Sequence, residues 1–286
     1  MSIKRVGIVG SGIMGSGIAE VVAAAGCEVV LRSRSRATAD STATRLAKAL
    51  DRQVEKGKRT QSERDAILAR VSVTTDLGAL AGTDLVIESV VEDLGVKKIL
   101  FAELDQVCDV HAVLATNTST LPVVELAMET GRPDRVCGIH FFNPAPAMPL
   151  VEIVRPLTAS DQTIAAAIEF ARDCGKDPVE VRDQAGFIVN ALLFPYLNNA
   201  VRLLENGVAS KEGIDAAMKG GCGFPMGPFA LLDLVGLDTS LAILDALYTE
   251  RRDPNYAAVP LLRRMVAAKM LGRKSGRGFY DYQSGG

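Results

Sequence analysis

Apolar and polar positions change period along this chain. Between residue 4 and about residue 181, short β-branched runs at 6–9, 29–31, 85–87 and 113–114 alternate with stretches whose apolar residues recur every three or four positions. Strands separated by helices pair in parallel through right-handed crossovers, so this part predicts an α/β fold, a Rossmann-type doubly wound, mostly parallel sheet. Two further apolar runs, 136–142 and 150–154, flank the turn-rich segment Asn143-Pro144-Ala145-Pro146-Ala147-Met148-Pro149 and read as neighbouring strands. Residues 54–70 form a charged helical pattern interrupted at Gly57, long for a simple crossover, and predict a helical insertion near 40–70.

The character changes after the strand-like run 176–182 and the turn signal Asp183-Gln184-Ala185-Gly186. Ile188, Leu192, Tyr196, Leu197, Val201 and Leu204 then recur at helical steps, with Gly207 as a stop signal and Pro195 inside the helix, where a kink is expected. Helical patterns at 211–219, 228–250 and 260–270 complete a second, all-α domain. The expected division is a dinucleotide-binding domain over 1–183 and a helical substrate and dimerisation domain over 184–286.

Length agrees with two domains, since 286 residues exceed the usual single-domain size of about 100–150. Composition mostly removes possibilities. With 32 basic against 34 acidic residues the net charge is −2, and no block of Lys or Arg marks a nucleic-acid footprint. The five cysteines are odd in number, scattered and never in a Cys-x-x-Cys pair, which argues against a disulfide framework or a bound metal. No apolar run approaches the roughly 18 residues that span a bilayer, and the N-terminus lacks a signal-peptide core, so the reading is a cytoplasmic protein with no membrane partner.

The first candidate chemistry lies in Gly10-Ser11-Gly12-Ile13-Met14-Gly15, which follows a strand directly and opens a helical run. Glycines there allow a tight turn, close approach of backbone to a pyrophosphate and close packing of helix on strand, while the helix N-terminus presents free N–H groups to the anion. A nicotinamide dinucleotide fits. In NAD-binding chains an acid about 20 residues further on receives the ribose hydroxyls. Here Ser33 stands at that place, flanked by Arg32, Arg34 and Arg36, so a 2′-phosphate and NADP(H) are favoured and NAD(H) is possible.

His140 is one of two histidines and lies twelve residues before Glu152, across the proline-rich turn. A histidine is the natural acid/base for a hydroxyl proton, and if the two runs pair as strands the carboxylate can meet it. Taken alone, His140 reads more readily as a core histidine with satisfied hydrogen bonds. Asn117 and Ser119 follow the run 113–114, at the strand end where ligands of open parallel sheets bind, although Ser119 could instead cap a helix starting near Leu121. Asn190, one turn into the second domain, faces a crevice between the domains if Ile188 and Leu192 face its core.

These motifs together resemble the (S)-3-hydroxyacyl-CoA dehydrogenase family, in particular its stand-alone short-chain members acting on 3-hydroxybutyryl-CoA. The resemblance runs through the glycine loop, Asn117-Thr118-Ser119, His140-Phe141-Phe142-Asn143-Pro144, Gly186-Phe187-Ile188-Val189-Asn190, Met226-Gly227-Pro228-Phe229, and Gly272 to Tyr280. It implies reversible hydride transfer between NAD(P)(H) and a 3-hydroxyacyl-CoA/3-oxoacyl-CoA pair, in fatty-acid or butyrate-type metabolism. By the same resemblance His140 is the base, Glu152 its partner, and Ser119 and Asn190 hold the reacting oxygen and the thioester end. Glu92, Lys97 and Asn143 are placed near the cofactor, Lys56 on coenzyme A, and the assembly is a homodimer through the helical domain. The chain departs from the family pattern at Pro149, Ala185, Ala191 and Gly223-Phe224, which bears on acyl-chain preference. Two other readings keep the fold: a crystallin-like or NADPH-sensing protein without turnover, and another two-domain 3-hydroxy acid dehydrogenase using a helical-domain lysine.

Overall fold

The computed structural model describes residues 3–282 and divides into two compact units, 1–183 and 184–286. In the first, the described residues form one eight-stranded sheet. Its strands are β1 (Arg5–Val9), β2 (Glu28–Arg32), β3 (Val71–Thr74), β4 (Leu85–Glu88), β5 (Val113–Thr116), β6 (Val136–Phe141), β7 (Leu150–Arg155) and β8 (Asp177–Arg182). They lie in the order β3-β2-β1-β4-β5-β6-β7-β8, and every neighbouring pair is parallel except β6 and β7. The order reverses between β1 and β4, which makes a crevice at their carboxyl ends.

Helices α1 (Ile13–Ala24), α2 (Arg36–Glu55), α3 (Gln61–Ala69), α4 (Leu94–Val107), α5 (Val123–Ala127) and α6 (Asp161–Asp173) belong to the same unit. Helix α1 buries Ile18, Ala19, Val22 and Ala23 with Val6, Ile8, Val29 and Leu31 of the first two strands in one core. At about 25 cal/mol per Å² of apolar surface, this burial dominates what holds the sheet and its helices together.

Several expectations are corrected. The insertion near 40–70 is the crossover from β2 to β3, made of two helices rather than one. Gly57, at φ +66°, follows α2, and Thr60 starts α3 with a capping box closed by Glu63. Strand β3 was absent from the apolar pattern because it is four residues long, lies at the sheet edge and is only half-buried. Helix α1 begins at Ile13, at once after the loop.

The second unit contains α7 (Val189–Glu205), α8 (Lys211–Cys222), α9 (Pro228–Val235), α10 (Leu237–Arg251) and α11 (Pro260–Ala267). The pattern 228–250 is thus two helices, broken where Gly236 takes φ +102°. Helix α7 continues through Pro195 and buries Asn190, Phe194, Leu197, Asn198, Ala200 and Val201. Ile188 and Leu192, expected to face the core, are 42% and 71% exposed. Ile188 precedes the first helical residue, and the buried stripe starts at Asn190. Asn198 ties α7 to the segment before α11, donating to the Ala257 carbonyl at 2.8 Å and accepting from Val259 N–H at 3.0 Å.

Candidate active site

The antiparallel exception in the sheet creates the central feature. Register places His140 of β6 opposite Glu152 of β7, so their side chains leave the sheet on the same face. Nδ1 of His140 lies 2.7 Å from Oε2 of Glu152, and the two residues are 4% and 1% exposed. A carboxylate can only accept, so Nδ1 carries the proton, and Nε2 becomes the working nitrogen. Ser119 Oγ lies 3.1 Å from Nε2. The Phe142 ring sits on the imidazole at 4.5 Å between centroids, whereas Phe141 points into the core. Cys137, on the same strand, is no rival nucleophile, because burial pushes its thiol up to about 12.

Ser119 does not cap a helix. Thr118 Oγ1 accepts from Leu121 N–H at 3.0 Å, and the Asp183 carboxylate accepts from Val123 and Val124 N–H at 3.0 and 2.7 Å at the start of α5. Ser119 is held by its own backbone instead, its N–H donating to Glu92 Oε1 at 3.0 Å, where Thr118 Oγ1 also donates. Glu92 pairs through Oε2 with Lys97 Nζ at 3.2 Å, and Lys97 reaches Glu88 Oε1 at 2.6 Å.

Glu88, at the end of β4, was missed in the sequence. It is fully buried and also accepts from Val90 N–H at 2.6 Å and Thr116 Oγ1 at 2.7 Å. Its signal was available as the one charged residue ending the apolar run 85–87. Asn117 accepts from Phe141 N–H at 2.8 Å, donates through Nδ2 to Ser89 Oγ at 3.4 Å, and its backbone N–H donates to the Glu88 carbonyl at 2.8 Å. It therefore braces the end of β5 against the strand carrying His140. Glu88, Lys97, Glu92, Ser119, His140 and Glu152 form one continuous polar chain across four strand ends.

The glycine loop has the shape a dinucleotide requires. A Cβ on Gly10, at φ +114°, would lie 2.2 Å from the Ser89 carbonyl oxygen, and one on Gly15 would lie 1.8 Å from that of Gly10. A Cβ on Gly12 would meet nothing within 4 Å. The open space lies at the α1 N-terminus, whose first turn has no side-chain cap; Ile13 is exposed and Met14 half-buried there. Anion, dipole and free N–H groups suit one another in that place. Thr42 Oγ1 and Arg45 Nη2 of α2 steady the loop by donating to the Ser11 carbonyl at 3.0 and 2.8 Å. Neither residue stood out in the sequence, where they look like ordinary positions of a charged helix.

At the end of β2, Ser33 is 1% exposed and its Oγ has no hydrogen-bond partner. Arg32 donates to the Thr75 carbonyl at 3.4 Å, Arg36 pairs with Asp40 at 3.1 Å, and Arg34 is exposed. Ser33, not a carboxylate, occupies the position just after β2. Lys56 is exposed at the C-terminus of α2, and Asn143 is exposed just past β6; neither is hydrogen-bonded to the His140 group. Asn190 belongs to the second unit, buried on α7.

Known proteins share this architecture. The profile of the 3-hydroxyacyl-CoA dehydrogenase NAD binding domain matches residues 5–184, and that of the 3-hydroxyacyl-CoA dehydrogenase C-terminal domain matches 186–282. The chain is similar to 3-hydroxybutyryl-CoA dehydrogenase of Mycobacterium tuberculosis, at 50% identity over 98% of this chain and 99% of that one. With the enzyme of the same name from Clostridioides difficile the identity is 47%, over 97% and 99%. The crystal structure of (S)-3-hydroxybutyryl-CoA dehydrogenase from Ralstonia eutropha matches with a TM-score of 0.96 at 44% identity, covering 99% of this chain and 100% of that one.

Proposed function

This chain belongs to the 3-hydroxyacyl-CoA dehydrogenase family, and from that premise we propose that it interconverts 3-hydroxybutyryl-CoA and acetoacetyl-CoA by hydride transfer with a nicotinamide cofactor. The observation that carries the chemistry is the register-paired His140–Glu152 couple with Ser119 on the second imidazole nitrogen.

In the oxidative direction Nε2 of His140 takes the proton of the 3-hydroxyl as hydride leaves C3. Glu152 holds the ring in the tautomer that keeps Nε2 an acceptor and stabilises the imidazolium that forms. In the reductive direction the imidazolium returns that proton to the oxygen at C3. Ser119 Oγ, a neighbour of Nε2, holds the same oxygen in line, and its backbone is fixed through Glu92. General acid/base help of this kind contributes about 10²- to 10⁴-fold. Asn190 is assigned to the thioester end of the substrate, and Lys56 to a coenzyme A phosphate as a point charge.

The bound cofactor supplies the hydride acceptor and donor. The α1 N-terminus with Gly10, Gly12, Ile13, Met14 and Gly15 would hold its pyrophosphate, and Asn117, Asn143, Glu92 and Lys97 are assigned to the nicotinamide side. NADP(H) is preferred over NAD(H). Ser33 puts no negative charge at the adenosine ribose and Arg34 is exposed beside it, so a 2′-phosphate meets a cation rather than a carboxylate.

The test is acetoacetyl-CoA reduction followed at the nicotinamide absorbance band, with NADPH and NADH in parallel. Turnover with both and a kcat/KM higher by at least about tenfold with NADPH is expected, equivalent to about 1.4 kcal/mol. A larger kcat/KM with NADH overturns the cofactor preference alone. Cofactor binding without turnover of any 3-oxoacyl-CoA overturns the enzyme reading and favours a sensing or crystallin-like protein.

A further inference from the structure

Lys176, the residue before β8, is a buried lysine that the proposed chemistry does not use. Its Nζ donates to the carbonyls of Ala145 and Met148, at 2.7 and 2.8 Å. Burial lowers its pKa below the ordinary lysine range. A buried ammonium whose hydrogen bonds go to two neutral carbonyls is costly to desolvate, with Glu20 only a weaker charge partner. Its service is better sought in geometry.

The two carbonyls belong to the turn 143–149, which joins the strand of His140 to the strand of Glu152. Ala147 and Met148 N–H close the turn on the Pro144 carbonyl at 3.0 and 3.1 Å, and Asp177 N–H carries it into the sheet by donating to the Pro149 carbonyl at 2.8 Å. On its other side the turn rests on α1, where a Cβ on Gly17 would lie 3.3 Å from Ala145 Cβ and 3.4 Å from Pro146 Cδ. The turn is therefore seated between the helix of the glycine loop and the Lys176 ammonium. Phe142, whose ring packs tilted against the imidazole, leads directly into it, and Asn143 is the first residue of the turn.

We infer that Lys176 is a positioning residue for the reaction: by holding the Ala145 and Met148 carbonyls it fixes the turn that sets the His140 ring against Glu152. This rests on the reading of His140 as the acid/base, and the readouts separate the two.

His140 and His111 are the only histidines, so the ring protons of His140 are assigned in an NMR spectrum by comparison with a His111→Gln variant. Lys176→Met is expected to lower kcat about 10- to 100-fold, the scale of a misplaced catalytic group, and to shift the His140 ring resonances. KM for the cofactor should change less than kcat, because the glycine loop itself is untouched although Asn143 belongs to the turn. Lys176→Gln, which keeps an amide donor, should fall between wild type and the methionine variant, and carries the test if the latter does not fold. A folded variant with wild-type kcat and unmoved His140 resonances, whatever its thermal stability, overturns the inference. If His140→Ala itself retains turnover, the acid/base reading fails, while the shift of the His140 lines still decides whether Lys176 sets that ring.

Discussion

Gly10, Gly12 and Gly15 lack a side chain for different reasons, and substitution separates them. Gly15 is closed on by the Gly10 carbonyl, so Gly15→Ala must move backbone and should destabilise the protein by about 1–3 kcal/mol, read as a lower Tm. Gly12 has ordinary backbone angles and open space before it, so Gly12→Ala should fold normally and lose about tenfold or more in cofactor affinity, or about 1.4 kcal/mol. Calorimetric titration with NADPH checks this, and unchanged affinity would remove the loop from the cofactor site. At this scale His140 and Glu152 were legible because they are scarce or isolated, and the glycines because their spacing has a steric meaning. Thr118 and Lys176 were not legible, and Glu88 showed only as the charge that ends the run 85–87. A buried carboxylate or ammonium is written with the same letter as an exposed one, and only the fold reveals its partners.

Elements were legible where their period was long or their runs were fully buried. The strands at 6–9, 29–31, 85–87 and 113–114 are covered on both faces, so their apolar letters are nearly continuous. Strand β3 has one flank of the sheet to itself and is only half-buried, so no run marks it. The interruption at Gly57 was visible, but the break at Gly236 hid for the opposite reason: the apolar period continues across it, and the positive φ that stops the helix leaves no mark on that period. The antiparallel pairing of β6 and β7 was the element-scale fact that mattered most. A turn-rich link of seven residues is too short for a parallel crossover, and the pairing it forces puts residue 140 opposite residue 152. A slip of one residue would send the carboxylate to the other face of the sheet.

At the scale of the molecule, the two units have separate cores: one beneath the sheet, the other around Phe194, Leu197, Val201, Phe229 and Leu244. Among the described residues no helix is long and apolar enough to cross a membrane. The second unit exposes the large apolar side chains of Leu192, Leu203, Val208, Phe224 and Leu234. We propose that it forms a symmetric dimer there, so light scattering should give the mass of two chains, and a single-chain mass at micromolar concentration would contradict it. The proposed chemistry is narrow: one imidazole, oriented by one carboxylate, would move the proton at C3. The direct test is the rate of acetoacetyl-CoA reduction by His140→Ala, with NADPH affinity and Tm measured on the same preparation. A loss of kcat of about 10²- to 10⁴-fold with affinity and Tm retained is the predicted result, and turnover within about tenfold of wild type would contradict the account.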